Sequence, residues 1–352
     1  MRQMTRHRIP HSRPTIGREE ERAAVRALRS GMVGGGEEVD RFERELERLV
    51  GAGRATAVHT GSAALHLALL GLGVGSGDRV VLPTYTCAAV LNAVHYVGAE
   101  PILADVSPET GNLDPDDVRV RLRAGTKAVI APHMMGRPAP IRELKALGVP
   151  IVEDCAMALG GKVGAQGEVS VFSFYATKMM ATGHGGAVMA RDRAVVRRIT
   201  DLVEYDNRED YRVRHNYRMS GLAAAVGRAQ LSKVPDFVQR RRRIADYYYR
   251  TLKLGEPPPG HVFYRFVLRV GSVERFVRFM ASRGIDCKRP VFRPLHRYGA
   301  GTAGEFPGAE ELHRHWASIP IYPSLNREEM ARVAQSSHEC LLKSGIRNPK
   351  SE

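Results

Sequence analysis

The sequence predicts an α/β protein, a mostly parallel doubly wound sheet followed by a smaller α+β domain at the C-terminus. Three observations carry this. Seven short apolar runs, 55–59, 79–83, 101–106, 128–132, 150–152, 169–174 and 186–190, lack polar alternation, as strands covered on both faces do. Helical segments separate most of these runs, the rhythm of a parallel sheet. Beyond Pro257-Pro258-Pro259-Gly260, a linker signal, the pattern changes to single strands and helices.

Taken in order, residues 1–14 form a basic arm. Gly17 to Arg29 has helical rhythm through Val25 and Leu28, and Gly34-Gly35-Gly36 then breaks the chain. A helix over 39–50 sets Val39, Phe42, Leu46 and Val50 on one stripe and stops at Gly51. The seven strands follow. Gln239-Arg240-Arg241-Arg242-Arg243 opens a helix through Tyr247-Tyr248-Tyr249, with the arginines read as a solvated face. Residues 261–270 and 285–290 read as strands, 273–283 as a helix, 320–323 as extended and 327–342 as a helix. The expected division is an arm and large domain over 1–234, and a linking helix with the small domain over 235–352.

With 352 residues, 43% hydrophobic and 26% charged, the chain has an ordinary globular composition. No apolar run approaches the roughly 18 residues of a membrane span, and no apolar core follows the charged N-terminus, so a cytoplasmic location without membrane attachment is expected. Cys87, Cys155, Cys287 and Cys340 show no paired spacing and no nearby histidine, which favours free thiols over a metal site. The net charge of +15 is spread along the chain rather than gathered in a basic domain with interleaved aromatics. It is read as solvated surface with some steering of anionic substrates, and no nucleic-acid partner is expected.

In doubly wound sheets ligands bind beyond the carboxyl ends of the strands, a rule that gathers Thr60, Tyr85, Asp154 and Ser173 on one rim. His59-Thr60-Gly61-Ser62-Ala63 turns from strand to helix, where free N–H groups and the helix dipole favour an anion. Asp154 ends a buried strand and needs a cationic partner. Ser173 ends the next strand, and Lys178 follows it. An acid for a pyridine nitrogen, a hydroxyl for a phosphate and an amine for an aldehyde make up the set that holds pyridoxal phosphate. Singly, each has an ordinary alternative: a helix cap, a salt bridge, a solvated lysine. Together those alternatives lose force.

The motifs Thr60-Gly61-Ser62-Ala63-Ala64-Leu65, Pro83-Thr84-Tyr85-Thr86, Val152-Glu153-Asp154, Phe172-Ser173-Phe174-Tyr175-Ala176-Thr177-Lys178 and Asn216-Tyr217-Arg218-Met219-Ser220 give the chain, over nearly its whole length, a sequence that resembles the DegT/DnrJ/EryC1/StrS family. These are pyridoxal-phosphate enzymes, mainly aminotransferases acting on nucleotide-linked keto sugars. The resemblance implies the aspartate-aminotransferase type of fold, pyridoxal-phosphate fold type I. It implies pyridoxal 5'-phosphate as cofactor, bonded by Lys178, with Asp154 facing the ring nitrogen. Gly61, Ser62, Ala63 and Ser173 would hold the phosphate. Asn216 would reach it from a partner subunit, so a homodimer with shared sites is expected.

The same alignment of motifs exposes departures. Cys87 stands where the family has an aromatic ring stacked on the cofactor. Met157 stands where a glutamine or histidine bonds the cofactor's phenolic oxygen, and a thioether is no donor. His184 replaces an acid before Gly185-Gly186, while Gly221 and Ala223 replace polar residues. Tyr85, His184 and His296, the last in Arg293-Pro294-Leu295-His296, are the candidates for substrate contacts; a packing role for His296 is the competing reading. Two functions stay open. One is transfer of an amino group from glutamate to a keto sugar, with Lys178 moving the proton. The other is a divergent cofactor-binding homologue, either performing elimination or dehydration or acting as a non-catalytic partner subunit.

Overall fold

The computed structural model describes residues 8–299 and 302–343. Seven strands form one sheet: β1 (Arg54–Val58), β2 (Arg79–Pro83), β3 (Glu100–Ala104), β4 (Thr126–Pro132), β5 (Ile151–Asp154), β6 (Val169–Ser173) and β7 (Gly186–Ala190). Their spatial order is β1-β7-β6-β5-β4-β2-β3. All the strands run parallel except β7, which lies antiparallel between β6 and β1. Each run read from the sequence is therefore a strand, and the carboxyl ends of β1, β2, β4, β5 and β6 share one edge.

Helices cover both faces. The first four are α1 (Arg18–Ser30), α2 (Glu37–Val50), α3 (Gly61–Gly71) and α4 (Ala88–Tyr96). Next come α5 (Pro115–Arg121), α6 (Ile141–Lys145), α7 (Arg193–Val203) and α8 (Gly221–Leu231). Helix α3 is apolar nearly all round, as a helix packed on several sides must be; it lies against β6 and β7 on one side and against α4 and α7 on the others.

The long helix α9 (Val234–Leu252) leads to a second core, with α10 (Val273–Ser282), α12 (Arg327–Lys343) and an antiparallel pair, β8 (Phe266–Arg269) and β9 (Trp316–Ile319), whereas α11 (Pro307–His315) packs Ala309 and Leu312 into the main core. Tyr248, Phe266, Phe276, Ile285 and Tyr322 pack there. Ile9 joins them from the N-terminal arm: its N–H donates to Gly284 O at 2.8 Å, and its carbonyl accepts from Asp286 N at 2.9 Å. Residues 1–7 of that arm lie outside the described residues.

Three readings change. The strand expected over 261–270 shrinks to β8, because Phe263 takes a left-handed φ of 53° and the backbone turns aside. Val262 and Arg265 donate instead to Gly136 O and Met135 O, at 2.9 and 3.1 Å. The strand expected over 285–290 makes only single bridges, Ile285 to Ile9 and Lys288 to Ser318, and the pairing strand near 320 is β9 instead. The arginine run is a solvated face only in part: Arg242 and Arg243 are exposed, but the run also ties segments together. Arg241 is buried and donates to the carbonyls of Phe263, Tyr264 and Ile321; Arg240 reaches Pro323 O and Leu325 O, and Arg242 reaches His261 O. Arginine geometry, five donors in a fork, suits it to tie carbonyls of separate segments together.

Candidate active site

A cavity of about 400 Å³ opens at the shared strand edge, a size that suits a small-molecule ligand. Helix α3 begins on its wall. Thr60 is extended and its hydroxyl accepts from Ala63 N at 3.1 Å, a standard cap that the Thr-Gly-Ser sequence encodes. The amides of Gly61 and Ser62 have no partner within the helix and remain available to an anion. Gly61 is required by space: a Cβ there would lie 2.8 Å from Ser173 Cβ. The helix start is thereby pressed against the end of β6, and the Ser62 and Ser173 hydroxyls share one wall.

Across the cavity stands Asp154. Its carboxylate accepts from Ala156 N at 3.0 Å. Burial pushes its pKa up, and the Ala156 amide, Lys178 and His133 only partly offset that. The carboxylate therefore has an unmet need for positive charge on the side that faces the cavity. Its neighbour Glu153 points into the protein instead. Glu153 accepts from the amides of Gly164, Gln166 and Gly167 and from His133 Nε2, the last at 3.1 Å. Burial opposes its charge, but His133 and these amides hold its pKa down to about 2. Glu153, His133 and Cys155 have ligand atoms within 4.8 Å of one another. His133 Nδ1 already accepts from Ala139 N at 2.9 Å and its Nε2 hydrogen goes to Glu153, so no imidazole lone pair is left for a metal. The group is a brace for the end of β5.

Lys178 follows β6 in a turn closed by its own N–H bonding Tyr175 O at 2.8 Å. Its Nζ sits 5.3 Å from the centre of the Tyr264 ring. Tyr175 and His184, rings 5.3 Å apart in an edge-on contact, form the outer rim.

Of the residues singled out from the sequence, Gly61, Ser62, Cys87, Asp154, Ser173, Lys178 and His184 line this cavity. Cys87 is exposed at the start of α4, on the wall near Val90. Ala63, Tyr85, Met157, Asn216 and His296 do not line it. The Ala63 amide is occupied by Thr60, and Tyr85 is wholly buried in the main core. Met157 is half-buried and packs between two hydrophobic clusters. Asn216 is exposed on the segment before α8. His296 is buried, shares a hydrogen with Thr84 Oγ1 at 2.7 Å and with Glu310 at 2.9 Å, and stacks on Phe306, a packing role. Sequence reasoning missed Tyr264. It lies in a run that reads as strand, and only the left-handed turn at Phe263 brings it behind Lys178.

A sequence model of the DegT/DnrJ/EryC1/StrS aminotransferase family matches residues 14–337. GDP-perosamine synthase of Escherichia coli O157:H7 is 32% identical over 358 residues, covering 94% of this chain and 98% of that protein. A dTDP-3-amino-3,6-dideoxy-alpha-D-galactopyranose transaminase of Aneurinibacillus thermoaerophilus is 32% identical, covering 91% and 94%. Among solved structures, the aminotransferase TlmJ from Streptoalloteichus hindustanus superposes with a TM-score of 0.90 at 31% identity, covering 95% of this chain and 99% of that one.

Proposed function

The chain belongs to the DegT/DnrJ/EryC1/StrS aminotransferase family, with the pyridoxal-phosphate fold type I, and from that membership we propose that it moves an amino group from an amino acid, glutamate first among them, to a nucleotide-linked keto sugar. Relatives named for GDP- and dTDP-linked amino sugars support that acceptor class. The cofactor proposed is pyridoxal 5'-phosphate.

The observation that carries this reading is the pairing of Asp154 with Lys178 across one cavity. The donor set fits the group. Asp154 is a buried carboxylate whose raised pKa marks an unmet need for a cation, which a protonated ring nitrogen would answer. Gly61, Ser62 and Ser173 form a close cradle at a helix start, the chemistry of a phosphate site. When bound, pyridoxal phosphate supplies an aldehyde and a ring that draws electrons from the substrate carbon. Lys178 Nζ would hold the aldehyde carbon and, once displaced, take and return the proton of the substrate carbon. Asp154 would keep the ring nitrogen protonated. Cys87 and His184 would border the space left for the sugar.

Asn216 supports a homodimer in which each copy completes the other's site, since it is exposed and away from its own cavity. Mixing Lys178→Ala with Asn216→Ala protein then restores activity that neither variant has alone; a mixture as inactive as its components overturns the shared site. Among the described residues no helix is long and apolar enough to cross a membrane.

The deciding experiment is spectroscopic. Protein loaded with pyridoxal phosphate gains a visible band that Lys178→Ala lacks, and glutamate bleaches it to the pyridoxamine form. A band that glutamate leaves untouched turns the reading to elimination or to a non-catalytic partner. A protein that never gains the band overturns both.

A further inference from the structure

Behind Lys178, outside the cavity wall, lies a buried phenol that the reaction outlined above does not use. Tyr264 is 6% exposed and comes from the turn before β8. The Lys178 ammonium stands 5.3 Å from its ring centre, and the Arg265 guanidinium 4.7 Å from it, so two cations share one ring. Arg265 also donates to the Tyr264 hydroxyl at 3.2 Å, and the Thr177 side chain bonds it from the residue next to Lys178. Arg265 is itself fixed by His11 of the N-terminal arm, whose Nδ1 accepts at 2.7 Å while its Nε2 shares a hydrogen with Ser318 at 2.9 Å. Burial and the neighbouring arginine keep that imidazole neutral, pulling its pKa to about 2. On the other side Arg241 binds the Tyr264 carbonyl. The segment is pinned against the large sheet by Gly136, with a φ of 93°, where a Cβ would lie 2.8 Å from Tyr264 N. The phenol is thus held by Arg265 and Thr177 at its hydroxyl and by Lys178 and Arg265 over its ring, while Arg241 and Gly136 fix the backbone that carries it; Lys178 in turn interacts with the Asp154 carboxylate.

We propose that Tyr264 is a positioning residue for Lys178: its hydroxyl, anchored by Arg265 and Thr177, fixes the ring on which the lysine ammonium rests and so aims the amine. Burial alone would raise the phenol's pKa, but Lys178, Arg265, the Thr177 hydroxyl and Arg241 outweigh it and bring it to about 8. Near neutrality the hydroxyl is neutral; above that range it becomes an anion bonded by Arg265. Met157 packs against the same apolar cluster and offers no hydrogen, so it does not share this role with the Tyr264 and Thr177 hydroxyls.

This rests on reading Lys178 as the active-site amine, and the test separates the two. In protein without pyridoxal phosphate, the ultraviolet tyrosinate band should show one step near pH 8. Tyr264→Phe, which keeps the ring and its packing, removes that step. Lys178→Met moves it upward by about one pH unit, since the first of the compensating charges is gone. In the loaded enzyme Tyr264→Phe lowers kcat about tenfold at unchanged KM for the amino donor and abolishes the alkaline inflection of the pH profile. An early step that survives in Tyr264→Phe, a midpoint indifferent to Lys178→Met, or a pH profile that superposes on the parent's overturns the proposal. The titration needs no cofactor, so its failure leaves the visible-band test standing, and a missing visible band leaves the titration readable.

Discussion

His133 Nε2 donates to Glu153 Oε2 at 3.1 Å, one residue before the carboxylate that ends β5 in the cavity. Adjacent acids on one strand face opposite sides and do opposite work. Glu153, satisfied by three amides and an imidazole, anchors the loop 164–167; Asp154, bonded once, keeps its charge for the cavity.

The first prediction concerns that anchor. Glu153→Gln leaves one acceptor for three amide donors and turns an NH₂ toward them, so it should destabilise by about 2–4 kcal/mol, read from urea melts at pH 7. The pH dependence has a defined sign. A carboxyl held down to about 2 from 4.5 contributes stability that is fully present above pH 4.5 and is lost as pH falls toward 2. Acid melts of the parent should steepen in that window, and those of Glu153→Gln should be flatter there.

A second prediction separates arginines that look alike in the sequence. Arg241→Met strands three buried carbonyls and should cost about 3 kcal/mol, whereas Arg243→Ala, exposed on the same helix, should stay within about 0.5 kcal/mol. Equal melting temperatures for the two variants would contradict the stapling role of Arg241.

This contrast shows where the sequence was legible. The seven strands of the sheet follow from apolar runs alone, because burial on both faces leaves a local signature. Gly61, Ser62, Asp154, Ser173 and Lys178 followed from strand ends and motif, since topology brings such ends together. Arg241 and Tyr264 were not legible. Their roles depend on which carbonyl or cation arrives from elsewhere in the chain, and nothing in Arg240-Arg241-Arg242-Arg243 or in Val262-Phe263-Tyr264 marks one member as different. The long strand read over 261–270 failed for the same reason: hydrogen bonds to Met135 and Gly136 outcompete continuation of the ladder.

The third prediction tests the cradle. Gly61→Ala sets a methyl 2.8 Å from Ser173 Cβ and 3.0 Å from its Oγ, so the start of α3 must shift from β6. Pyridoxal phosphate should bind at least about tenfold more weakly, a loss of about 1.4 kcal/mol, measured by fluorescence titration. Ser173→Gly in the same protein removes the clash and should recover part of the affinity, despite losing a hydroxyl. A double variant weaker than the sum of the singles would refute the steric account.

The last prediction turns on Asp154, whose two states pull in opposite directions. In protein without cofactor, burial raises its pKa, so the folded state binds its proton more readily than the unfolded chain. Stability then declines as pH rises from the ordinary carboxyl value through the raised one, and a penalty persists at neutral pH. Asp154→Asn removes that penalty and should leave the cofactor-free protein as stable as the parent or about 1 kcal/mol more so. Loaded with pyridoxal phosphate, the order reverses: the parent gains a partner for its charge, the amide does not. The rise in melting temperature on adding cofactor should therefore be smaller for Asp154→Asn, and amino transfer should fall at least about a hundredfold, close to 3 kcal/mol of barrier. A variant that gains as much from the cofactor as the parent, with turnover intact, would show that the buried carboxylate of β5 serves the fold alone.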